Sequence, residues 1–179
     1  REAVAWFRRA AEAGLDNAQI NLAEMYLNGS GVPQSRAEAI NWYRKAAAQA
    51  NLRAMMQLGG LYERGKEYVD ALAWYRHAAD QNHLPAMNKL GGMYEYGQAR
   101  AVDWYRKAAG LGDTEAQFSL ARMYLNGKGV AQSDQEALNL YRKGAQREYA
   151  LAQNMLGWMY DVGRGVMQDQ RQAVEWYRK

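Results

Sequence analysis

The sequence has no cysteine, two prolines, two histidines and two phenylalanines. Without cysteine there is no disulfide, no thiolate metal site and no cysteine nucleophile. With so little proline, long helices can run uninterrupted. No apolar run approaches the roughly 18 to 20 residues that a membrane-crossing helix needs, so no membrane insertion is expected. Charge of one sign is also scarce. Twenty-three Lys and Arg against 19 Asp and Glu leave +4, too little to point to nucleic acid without a clustered patch. The chain starts at Arg1 with neither Met nor a signal segment, which predicts a piece of a longer protein whose address lies elsewhere.

What the chain has is hydrophobic residues, at 49% of 179, too many for a disordered tail and enough for a substantial core. It also has aromatic residues in register. Trp6, Trp42, Trp74, Trp104 and Trp176 each sit in a segment of the type WYRKAA, and Leu140 takes the same place in LYRKGA. Successive spacings are 36, 32, 30, 36 and 36. A second pattern, A-x-x-x-L-[AG]-x-[ML]-Y, begins at Ala18, Ala54, Ala86, Ala116 and Ala152. Within it, Ala, Leu, Met or Leu, and Tyr fall at i, i+4, i+7 and i+8, one face of a helix. The small residue at i+5 (Ala23, Gly59, Gly91, Ala121, Gly157) predicts close approach of a neighbouring helix. We call these the A helices and the Trp-bearing ones the B helices.

Stop and start signals agree with this reading. Gly29, Gly65, Gly97, Gly127 and Gly163 lie three residues past the A-helix Tyr, where a left-handed C-terminal residue belongs. Asp16 and Asp113 are placed to cap A helices. The predicted array comprises a partial repeat over 1–13 and repeats over 16–49, 52–81, 84–111, 114–147 and 150–179. The second and third full repeats lack the loop insert seen as GSGVPQS, GKGVAQS or GRGVMQD. One helix pair cannot bury its own apolar face, so neighbours must stack. The expected fold is all-α, a right-handed α–α superhelix of antiparallel helix pairs.

The A-x-x-x-L-G-x-x-Y helix, the G-x-G-V loop (29–32, 127–130, 163–166) and the W-Y-x-K-A-A helix resemble the Sel-one-like repeat, a branch of the tetratricopeptide superfamily. The shortened loops after Tyr62 and Tyr94, and Leu140 for Trp, depart from its pattern without breaking it. The resemblance implies a non-enzymatic adaptor, common in bacteria, that presents a concave surface to a protein or peptide. It leaves cytoplasm, periplasm and secretion equally open.

The residues carry no chemistry of their own to set against that. His77 occupies a slot otherwise held by Arg or Lys, and His83 lies in a turn. Neither has metal-ligand spacing to a second ligand on one helix face, so catalytic residues, metal and cofactors are all expected to be absent. The recognition surface is sought instead among A-helix slots that vary. Counting from the first Ala, slot +2 reads Ile20, Met56, Asn88, Phe118, Asn154. Slot +6 reads Glu24, Gly60, Gly92, Arg122, Trp158, and slot +9 reads Leu27, Glu63, Glu95, Leu125, Asp161.

The expected partner-binding residues are Trp158, Phe118, Arg122, Ile20, Leu27, Met56, Leu125, Glu63 and Glu95. They would form a groove with an acidic centre between apolar ends. Two alternatives stay open. The basic residues that follow each B-helix aromatic, such as Arg44 and Lys45, would form a ridge able to bind nucleic acid or an anionic glycan. The cut repeat ends would allow self-association.

Overall fold

The computed structural model describes residues 2–94 and 98–179. Among them are eleven helices and no strand: α1 Glu2–Glu12, α2 Asp16–Asn28, α3 Arg36–Ala47, α4 Leu52–Arg64, α5 Tyr68–Ala79, α6 Leu84–Met93, α7 Gln98–Gly110, α8 Thr114–Asn126, α9 Asp134–Gln146, α10 Ala150–Val162 and α11 Gln170–Tyr177. The even-numbered helices carry the A pattern and the odd-numbered ones the B pattern. The fold class is the all-α helix-pair solenoid type.

The chain forms two compact units, Arg1–Ala86 and Met87–Lys179. In the first, α1 packs on α2, α2 on α3, α3 on α4 and α4 on α5. In the second, α7 packs on α8, α8 on α9, α9 on α10 and α10 on α11. The leading A-helix Ala is buried at Ala18, Ala54, Ala86, Ala116 and Ala152. The Leu four residues on is buried at Leu22, Leu58, Leu90, Leu120 and Leu156. Burying a Leu side chain contributes about 1.5 to 3 kcal/mol, and the row repeats that contribution in every A helix.

The small i+5 residue does the work its size suggests. A Cβ on Gly59 would stand 2.4 Å from the Tyr75 ring, and one on Gly91 2.4 Å from the Tyr105 ring. The B-helix tyrosine therefore lies directly on the A-helix backbone.

Helix ends follow two schemes. In the long loops Gly29, Gly127 and Gly163 are left-handed C-caps, and the second glycine of each G-x-G is left-handed too. In the loop after α4, Gly65 is right-handed with φ −76, and Lys66 takes the left-handed place at φ 62. Deleting the insert moves the reversal one residue on, which corrects the expectation at Gly65; Gly97 lies outside the described residues. Ser35, Ser133, Asn51, Asp113 and Asp169 cap their helices through side-chain oxygens. Asp16 does not cap: Leu15 holds that place. Its carboxylate instead accepts from Asn51 Nδ2 at 2.7 Å, tying the start of α2 to that of α4. That hydrogen bond holds the Asp16 pKa below its ordinary value.

Candidate functional site

Three ladders run through the repeats, and each consumes groups that could otherwise meet a ligand. The first joins B to A helices. Arg8 Nη2 donates to Tyr26 Oη at 2.8 Å, Arg44 Nη2 to Tyr62 Oη at 2.6 Å and Arg142 Nη2 to Tyr160 Oη at 3.4 Å. The first basic residue of the repeated pair thus holds the tyrosine of the next A helix. The second lies over its own tryptophan: Lys45 Nζ is 3.8 Å from the Trp42 ring centre, Lys107 4.5 Å from Trp104 and Lys179 4.0 Å from Trp176. Such cation–π contacts contribute about 0.5 to 1 kcal/mol at exposed sites. His77 takes the same place with its ring edge-on to Trp74.

The second ladder was not read from the sequence. Gln19, Gln117 and Gln153 are buried, and each donates to a carbonyl of the preceding B helix: Ala11, Ala109 and Ala145. Position +1 after the leading Ala carries the signal: Gln recurs there in the repeats with the long loop, and Met55 and Met87 replace it in the others.

The third concerns the B-helix tyrosine hydroxyl. Tyr75 Oη donates to Glu63 Oε2 at 2.7 Å. Burial and this bond together push its pKa well above 10. Tyr43 and Tyr141 are as deeply buried, but among the described residues their hydroxyls have no partner. This departs from the rule that a buried polar atom is hydrogen-bonded. The cause is slot +9, where Glu63 is replaced by Leu27 and Leu125. Burial raises Tyr43 to about 12, with Glu24 adding and Arg53 and Arg64 opposing. Burial raises Tyr141 further, against Arg122 and Arg164.

These ladders decide where the expected recognition residues stand. Ile20 is 0% exposed and Leu125 5%. Both belong to the core, so their placement on an outward apolar patch is corrected. An A helix meets neighbours on two flanks, and an isolated helical wheel counts only one. Leu27 and Met56 are half-buried. Glu63 is half-buried and its carboxylate is engaged by Tyr75. Glu95 lies outside the described residues. Leu27 lines a cleft of ≈ 410 Å³ in the first unit, with Gln34, Arg36, Leu61, Arg64 and Gly65. Nearby, Arg36 is paired with Glu67 at 2.6 Å and Arg53 with Glu24 at 2.7 Å.

Phe118, Arg122 and Trp158 all belong to the second unit. Phe118 is half-buried, its ring 5.6 Å from Tyr141 and 5.8 Å from Tyr149. Trp158 is half-buried on the α8–α10 core, with the Arg164 guanidinium 5.9 Å from its ring centre. Arg164 is itself fixed, donating to Asp134 Oδ1 at 2.9 Å and to the Leu125 carbonyl at 2.8 Å. Arg122 is exposed and one helical turn from Phe118. The second unit therefore presents two fixed aromatic surfaces and a cation that the fold does not use. No cluster of three metal-ligating side chains occurs among the described residues, and none of the described helices is long and apolar enough to cross a membrane.

Comparison with known proteins is consistent along the whole chain. The Sel1 repeat model matches in six segments, 1–15, 16–51, 52–83, 84–113, 114–149 and 150–179. A relative from Rhizobium meliloti, an exopolysaccharide production negative regulator, is 30% identical over 146 residues, 76% of this chain and 46% of its own. The chitin synthase regulator of Saccharomyces cerevisiae is 41% identical over 70 residues, 37% of this chain and 10% of its own. Among solved structures, a protective antigen of uropathogenic Escherichia coli displaying an SLR fold has a TM-score of 0.86 at 37% identity, covering 98% of this chain and 40% of its own. The chain thus spans less than half the length of each of these three.

Proposed function

The chain belongs to the Sel1 repeat family, and we propose that it acts as a non-catalytic scaffold that binds a protein or peptide on its A-helix surface. The observation that carries this reading is the division of labour between slots. Core slots and the arginine–tyrosine and lysine–tryptophan contacts recur along the array, whereas slots +2 and +6 vary, with only Asn88 and Asn154, and Gly60 and Gly92, alike. On α8 and α10 those slots hold Phe118, Arg122 and Trp158, rigid aromatic groups beside a cation, the residue types that dominate binding energy at interfaces. Two relatives named as regulators of polysaccharide production or synthesis fit a protein that acts by holding another.

The competing reading, a basic ridge for nucleic acid or glycan, loses support to the ladders. Arg8, Arg44 and Arg142 are committed to tyrosines, Lys45, Lys107 and Lys179 to tryptophans and Arg106 to Asp103, which leaves fewer cations to neutralise phosphates.

Selection of a displayed random peptide library on the purified chain tests the proposal. A recurring motif should emerge, and Trp158→Ala should weaken its binding while the helical circular dichroism is kept. Failure to enrich any motif, or full binding by Trp158→Ala, contradicts it.

A further inference from the structure

We propose that the exposed face of α8 around Arg122 binds an acidic segment of the partner protein, with a carboxylate of that segment paired to the Arg122 guanidinium. The inference deepens the scaffold reading and rests on it.

Arg122 is exposed and has no ion pair among the described residues, unlike Arg36, Arg53 and Arg164. It lines a cleft of ≈ 130 Å³ together with Tyr105, Ser119, Met123, Asn126 and Lys128. Two of these six residues are cationic, Ser119 and Asn126 add neutral hydrogen-bonding groups, and none is acidic.

A second observation points the same way. Beside this face lies the Tyr141 hydroxyl, buried and without an acceptor. Arg122 and Arg164 both bear on it electrostatically, and Phe118, one turn before Arg122, packs with its ring 5.6 Å from that of Tyr141. The same tyrosine on α5 has its acceptor in Glu63 at slot +9 of α4. On α8 that slot holds Leu125, and slot +6 holds a cation where α2 holds Glu24, itself paired with Arg53. The cleft lining on α8 therefore collects donors and positive charge, and the one acid on that face of the helix, Glu115, stands two turns before Arg122. Phe118 adds a half-buried aromatic surface on the same helix.

An acidic peptide fits better than a nucleic acid. The free cations here are local, Arg122 and Lys128, whereas a phosphate backbone needs a continuous track.

The test starts from peptides selected on the intact chain. The best binder, labelled with fluorescein, and its counterpart with every Asp changed to Asn and Glu to Gln are titrated by anisotropy. Both are measured against the native chain and against Arg122→Glu, an exposed position whose folding is checked by circular dichroism. The proposal expects acidic motifs, with affinity falling about tenfold or more when either the peptide acids or Arg122 are changed, as loss of a charged hydrogen bond would do. Motifs without acid, or acidic motifs bound equally by Arg122→Glu, overturn the carboxylate anchor and leave the scaffold reading intact. If no peptide is selected while a single-stranded RNA binds through Arg122, both are overturned.

Discussion

Tyr75 Oη lies 2.7 Å from Glu63 Oε2, and this one hydrogen bond separates two kinds of repeat. On α4, where slot +9 is Glu63, the B-helix tyrosine is satisfied by the fold. Where it is Leu, at Tyr43 and Tyr141, a buried hydroxyl is left over. Removing hydroxyls should therefore have opposite effects. Tyr75→Phe should lower the melting temperature, with a loss of about 1 kcal/mol or more, because the half-buried Glu63 carboxylate loses a donor. Tyr141→Phe should leave stability unchanged or raise it. Thermal denaturation of the two variants decides the matter, and equal destabilisation would refute the assignment.

Adjacent glycines on α4 should also differ in sign. A Cβ on Gly59 meets the Tyr75 ring at 2.4 Å, whereas one on Gly60 finds its nearest neighbour, Arg64 Nη1, at 3.5 Å. Gly60→Ala should stabilise by up to about 1 kcal/mol through helix propensity. Gly59→Ala should destabilise despite the same propensity gain. Urea midpoints report both.

The turn from each B helix into the next A helix holds one left-handed residue, at Gly14, Ala50, Asn82, Gly112 and Glu148. A side chain there costs roughly 1 to 2 kcal/mol, partly offset by the greater unfolded-state freedom of glycine. Ala50→Gly and Glu148→Gly should each raise stability by about 0.5 kcal/mol. A drop in melting temperature would show that the turn gains more from the side chain than it loses to strain.

Alkaline pH should unfold the protein through its buried tyrosines. Their pKa values lie above the ordinary 10.0, with Tyr43 at about 12. The unfolded chain therefore releases these protons first. The stability they contribute is fully present below pH 10 and is lost as pH rises from 10 toward 12. Tyr43→Phe should flatten that fall in a urea series across this range, and an unchanged slope would contradict the burial assigned to the phenol.

Much of this architecture was legible because repeats repeat their physics. The A-helix Ala–Leu row and the small residue under each tyrosine followed from spacing alone. Three things did not. Ile20 and Leu125 sit at wheel positions that face away from one neighbour, yet a stacked helix has two. Gly65 kept its sequence slot while the shortened loop moved the reversal to Lys66. The buried Gln19, Gln117 and Gln153 looked like ordinary polar residues, since their carbonyl partners lie eight residues earlier on another helix. The Arg122 cleft was legible only in part. Sequence marked the residue as variable and outward, but the unanswered Tyr141 hydroxyl beside it needed coordinates.

The central claim is that the A helices of the second unit do the recognising. Hydrogen–deuterium exchange of the chain with and without a selected peptide tests it most directly. The account predicts added protection in residues 114–126 and 150–162, α8 and α10. Protection confined to the B helices, over 98–110 and 134–146, or none at all, would contradict it.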